Sequence, residues 1–114
     1  MGVWTCTYRV RTLLPVDPIR FEWDAAKAAA NLRKHGVSFG EAETAFYDDY
    51  ARVLPDPDHS TAEEDRFLLL GLSSGLRVLI VVHCLREAGS VIRLISARRA
   101  TRAERAQYGR GDKP

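Results

Sequence analysis

Arg77, Arg98, Arg99, Arg102, Arg105 and Tyr108 carry the densest chemistry in this 114-residue chain. A guanidinium is planar, permanently charged and able to hold two phosphate oxygens at once, where an ammonium offers a point charge. Arg outnumbers Lys fourteen to three. Arg102, Arg105 and Tyr108 recur every three residues and form one stripe on a helix. Arg98 and Arg99 immediately precede that helix, and Arg77 opens a strand expected to pair with the last one. A strand end and a helix start brought together in this way would surround a phosphate, with the helix amides adding partial positive charge. The bland alternative is that these arginines lie along the surface, their stems covering apolar area.

Charge segregation favours an anionic polymer as partner. From Glu22 to Asp65 eleven acids face four bases, a net of −7, and from Arg77 to Arg110 eight bases face two acids, a net of +6. Arg52 lies inside the acidic segment and reads as a surface residue remote from any phosphate site. The whole chain is nearly balanced at +2.

Other chemistries find less support. His35, His59 and His83 could exchange protons near neutral pH, but no partner stands at a spacing that would fix one for catalysis, so a structural role is expected for each. Lys34 and His35 close the first helix and add cationic character there. Asp56, Asp58 and His59 lack the companion ligands of a metal site, and no glycine-rich nucleotide loop occurs. No metal and no cofactor are expected. Cys6 and Cys84 belong to no CxxC pair and read as reduced thiols. Leu76–Leu85, the longest apolar run, is broken by Arg77 and His83 and is far short of a membrane span. No secretion signal is recognisable, so a cytoplasmic location is expected.

The elements that would position these residues follow from caps and periodicity. Residues 1–19 read as an appended arm and residues 20–110 as one domain. Arg20–Trp23 is a short strand; Asp24 caps an alanine-rich helix over 25–35, which Gly36 ends. Ser38 and Glu41 form a capping box, with Val37 and Ala42 as its staple, for a helix to about Tyr47. Strands follow over 51–55, 66–72, 76–85 and 91–97, joined by hairpins at 73–75 and 86–90. Thr101 and Glu104 form a second capping box for a helix to Tyr108, with Gly109 as its stop. The fold class is α+β, helices packed on a small antiparallel sheet of three to four strands, with a C-terminal helix.

Several stretches resemble the BrnT family of toxins: Phe21 to Asp24, Asn31 to Phe39 with its Lys-His-Gly-Val-Ser-Phe run, Arg66-Phe67, and Ile92 to Ala100 with Glu104, Arg105 and Tyr108. The resemblance runs from about Arg20 to Tyr108. It implies a RelE-like ribonuclease fold and a toxin of a type II toxin-antitoxin system that cuts RNA and inhibits translation and growth. It also implies a BrnA-like ribbon-helix-helix antitoxin as partner, with operator DNA reached only through that antitoxin. The hairpin Ser73 to Val78 is similar to one in RelE-type toxins whose arginine contacts the scissile phosphate, which carries over to Arg77. The basic pair ending the last strand carries over to Arg98 and Arg99. Leu68 and Leu70 stand where those toxins have lysines, and Arg66 is the substitute.

The expected reaction is RNA cleavage without metal, since the 2′-OH supplies the nucleophile and arginines can stabilise the phosphorane. Arg77, Arg98 and Arg66 would clamp the phosphate near a common point. Glu104, Tyr108 or a histidine would move protons, with Tyr108 activated by neighbouring arginines. Arg99, Arg102, Arg105, Lys34 and His35 would bind the RNA. The competing classes are a nucleic-acid-binding module without catalysis and a protein-interaction domain using the acidic segment.

Overall fold

The computed structural model describes residues 19–56, 60 and 65–108. Most of the arm, with Asp58, His59 and Gly109, lies outside the described residues. In chain order the elements are β1 (Arg20–Glu22), α1 (Ala25–His35), α2 (Phe39–Ala45), β2 (Arg52–Pro55), β3 (Arg66–Leu72), β4 (Val78–Arg86), β5 (Val91–Arg99) and α3 (Arg102–Gln107). Asp24 caps α1 by accepting from the Lys27 amide, and Gly36 closes it at φ 70°, a left-handed backbone that glycine takes without steric cost.

The strands form one sheet in the order β1-β5-β4-β3-β2. This corrects the expected three to four strands: there are five, and β1 runs parallel to β5 at the edge, with Phe21 beside Ile92. β1 lies some seventy residues from its partner, so no local turn signal announces the pairing. Burial supplies the reason for it. Phe21 meets Phe46 edge-to-face at 5.3 Å and closes the helix-side core.

Alternation along the strands divides the sheet into two faces. On one face Leu69, Leu79, Val81, Leu94 and Ala97 pack against Phe39, Ala42 and Phe46 of the α2 region. On the other, Leu70, Ile80 and Ala100 pack with Leu68, Val78 and Tyr108. A bulge between Val82 and His83 shifts the β4–β5 register. His83 itself is fully buried and meets Phe46 edge-to-face at 4.8 Å.

One polar side chain ties the helices to the sheet. Asn31 Nδ2 donates to the carbonyls of Val37 (2.9 Å) and Ala97 (2.8 Å), and its Oδ1 accepts from Ala97 N at 3.0 Å. Asparagine is a poor residue inside a helix. Here it anchors α1 and the α1–α2 turn to β5, two residues before Arg99.

Candidate active site

Four segments meet at this end of the sheet: the α1–α2 turn, the β3–β4 hairpin, the end of β5 and the start of α3. Ala100 N donates to Val78 O at 2.8 Å and so joins the last two strands just beyond Arg77 and Arg99. Two arginine–carboxylate forks sit here. Arg77 Nε donates to Glu41 Oε2 at 3.0 Å, and Arg77 Nη2 donates to Glu41 Oε1 and, at 3.1 Å, to Gly36 O. Arg98 Nη1 and Nη2 donate to Glu104 Oε1 and Oε2 at 2.8 and 2.9 Å. Both carboxyls are stabilised as anions. The bond from Arg77 holds Glu41 below its ordinary range, and the bond from Arg98 lowers Glu104 to about 2.

The two forks leave opposite faces. β5 runs on to Arg99, two residues beyond the expected Ala97, because Leu79 and Ile80 pair with Arg99 and Arg98. Leu79 belongs to the helix-side core and Ile80 to the other. Cross-strand partners share a face, so Arg99 lies with Arg77 above α2, and Arg98 lies with Glu104 beneath. The structure thus groups Arg77 with Arg99 and Arg98 with Glu104, and does not bring the Arg77 and Arg98 side chains to one point.

The remaining site residues are placed as follows. Arg66 shares the Arg98 face but sits at the far end of β3, four residues from Leu70, roughly 13 Å along the strand. The Tyr108 hydroxyl donates to Asp48 Oδ2 at 2.5 Å. Arg105 donates to Ala100 O at 3.2 Å and helps to cap β5. Arg99 and Arg102 are exposed. Lys34 is exposed and His35 half-buried, next to the Gly36 carbonyl that Arg77 holds. Arg52 is not the surface residue its acidic surroundings suggested, because its Nε and Nη2 are buried on a strand paired with β3.

Sequence reasoning missed three residues. The sequence pattern places Glu41 in a capping box alone. Asn31 could have been noticed as an unfavourable residue within an alanine-rich helix. Asp48 follows the helix expected to end at about Tyr47 and carries no role in the sequence pattern, yet it accepts from Leu72 N at 2.8 Å as well as from Tyr108. Among the described residues no group of three or more His, Cys, Asp or Glu could hold a metal ion, and no helix is long and apolar enough to cross a membrane.

Comparison with known proteins agrees with this architecture. No curated protein sequence matches the chain. The crystal structure of the Brucella abortus ribonuclease toxin BrnT is similar at TM-score 0.57 and 26% identity, over 74% of this chain and 99% of that one. A family profile described as ribonuclease toxin, BrnT, of type II toxin-antitoxin system matches residues 23–104, from the end of the β1 segment to Glu104 in α3. With most of its length matched and its fold shared, the chain belongs to the BrnT family of type II toxin-antitoxin ribonuclease toxins.

Proposed function

We propose that this chain is a metal-independent RNA endonuclease of the cytoplasm that arrests growth and is neutralised by a BrnA-like ribbon-helix-helix antitoxin. Operator DNA is reached only through that antitoxin. The observation that carries the reading is the gathering of Arg77, Arg98, Arg99 and Arg102 at one end of the sheet, two of them held rigidly in carboxylate forks. The 2′-oxygen loses its proton to water and attacks the adjacent phosphorus, the bond to the 5′-oxygen breaks, and the departing 5′-oxygen takes a proton from water. The products are a 2′,3′-cyclic phosphate and a 5′-hydroxyl. Charge accumulates on the phosphorane oxygens, where a preoriented guanidinium needs no reorganisation to stabilise it. Arg98 is the clamp in this scheme, and Glu104 aims it. A carboxyl lowered to about 2 is a weak base at neutral pH, so Glu104 is a positioning group and does not carry the proton. Arg99 and Arg102 guide the flanking phosphates.

One observation favours a binding module without cleavage: each fork is already filled by a carboxylate. Growth separates the two readings. Induced expression without antitoxin is expected to arrest growth and fragment mRNA, and co-expression of a ribbon-helix-helix antitoxin is expected to restore growth. Unimpaired growth at confirmed soluble expression would remove the toxin reading.

A further inference from the structure

The β3–β4 hairpin turns through Ser73–Leu76, closed by Leu76 N donating to Ser73 O at 2.9 Å and by Ser73 N donating to Arg77 O at 2.8 Å. A three-residue loop of this type needs left-handed backbone at its last position, which glycine ordinarily fills. Here the residue is Leu76, at φ 62° and 80% exposed. Glycine stands one place earlier for another reason, since a Cβ on Gly75 would lie 2.9 Å from Glu41 Oε2. Leu76 therefore combines a strained backbone, in which its Cβ crowds its own carbonyl, with a large apolar surface turned to water. The left-handed residues of the β4–β5 hairpin differ: Ala88 is small, and Glu87 pairs with Arg20 at 2.9 Å.

The hairpin is also rigidly mounted. Ser73 Oγ donates to Glu41 Oε2 at 2.6 Å, Ser74 N donates to Thr44 Oγ1 at 2.9 Å, and the Arg77 fork grips the same Glu41. Leu76 is thus fixed at the tip of a braced turn, next in the chain to Arg77.

We propose that Leu76 is the platform on which an unstacked nucleobase of single-stranded RNA packs while the neighbouring phosphate meets the arginines, an inference that rests on the ribonuclease reading above. An apolar side chain next to a cation complements a nucleotide, which is a flat base joined to an anion, and such packing tolerates any base because every base has a π-face. A protein partner is the competing occupant.

The test uses the full chain, a short single-stranded RNA blocked against cleavage by 2′-O-methyl groups, and the variants Leu76→Asn and Leu76→Phe. Asparagine accepts left-handed backbone but offers no apolar surface. Leu76→Asn is expected to melt no lower than wild type and to bind this RNA about tenfold more weakly. The slope of log Kd against log salt stays unchanged, because no charge is lost. Leu76→Phe regains the affinity. Wild-type RNA affinity in Leu76→Asn, whether or not neutralisation by the antitoxin is lost, overturns the proposal. So does a loss of affinity in both variants that tracks a lower melting temperature. If wild type binds the RNA but cuts no unmodified RNA, and Leu76→Asn still weakens binding, the platform stands and the endonuclease reading fails. If wild type binds no RNA, both fall.

Discussion

The two helices at the arginine-rich end of the sheet begin with the same pattern, Ser38 and Glu41 in α2, Thr101 and Glu104 in α3. In α3 the box is complete: Glu104 N donates to Thr101 Oγ1 at 3.1 Å and Thr101 N donates back to Glu104 Oε1 at 2.8 Å. The same carboxylate also receives Arg98, six residues away. In α2 only half of the box forms. Glu41 N donates to Ser38 Oγ at 3.0 Å, but the Glu41 carboxylate goes to Arg77, 36 residues away, and to Ser73. A local pattern decides where a helix starts, whereas tertiary placement decides what its carboxylate holds. One fork is built within a single chain segment and presents Arg98; the other fastens a hairpin to a helix.

The largest effect expected from this contrast is on catalysis. Arg98→Ala should slow RNA cleavage roughly 10²- to 10³-fold, about 2.7 to 4 kcal/mol of transition-state stabilisation. Its melting temperature should change little, because the pair is part-exposed and such pairs contribute at most about 1 kcal/mol. Single-turnover rates beside melting curves check both halves, with Arg33→Ala on the exposed side of α1 as the reference. Asn31→Ala should act in the opposite sense. It strips partners from both polar groups of Ala97 and from Val37 O, costing about 3 kcal/mol in denaturant unfolding.

Acid should separate the forks from the core. His83 has a folded pKa of about 4, pushed down by burial, against 6.5 when unfolded. Above pH 6.5 it is neutral in both states and contributes no pH dependence. Below that the unfolded chain takes up a proton that the native one refuses. Stability should therefore fall from pH 6.5 to about 4, by roughly 3 kcal/mol in all. Glu104 has the same sign in a more acid window: its contribution is complete above its unfolded pKa of 4.5 and is lost as pH falls from there to about 2. Unfolding titrations of His83→Gln should accordingly be flatter between pH 6.5 and 4.5, while Glu104→Gln should keep the wild-type slope there. The smallest effect belongs to the α2 fork. Arg77→Ala leaves Glu41 without its cation and should cost about 1 kcal/mol, of which Arg77→Ala/Glu41→Gln regains part, since the orphaned charge is then gone.

Legibility in the sequence followed the same divide. α1 from its Asp24 cap to Gly36, the Ser38 and Thr101 caps, and both hairpins rest on neighbours within a few residues, and each was readable. The parallel pairing of β1 was not, because its partner is set by burial of Phe21 at the far end of the chain. Nor was the separation of Arg77 from Arg98. That depends on β5 continuing two residues past Ala97 and on the parity with which Ile80 and Leu79 meet Arg98 and Arg99. Arginine types and their rough neighbourhood were visible, but which face each occupies was a property of the sheet.

The most direct test of the central claim is the chemistry of the cut ends when purified wild-type protein meets RNA in excess EDTA. Cleavage by arginine-stabilised attack of the 2′-oxygen predicts undiminished activity and fragments ending in a 2′,3′-cyclic phosphate and beginning with a 5′-hydroxyl. Activity abolished by EDTA and restored by a divalent ion, with fragments bearing 3′-hydroxyl and 5′-phosphate ends, would contradict it.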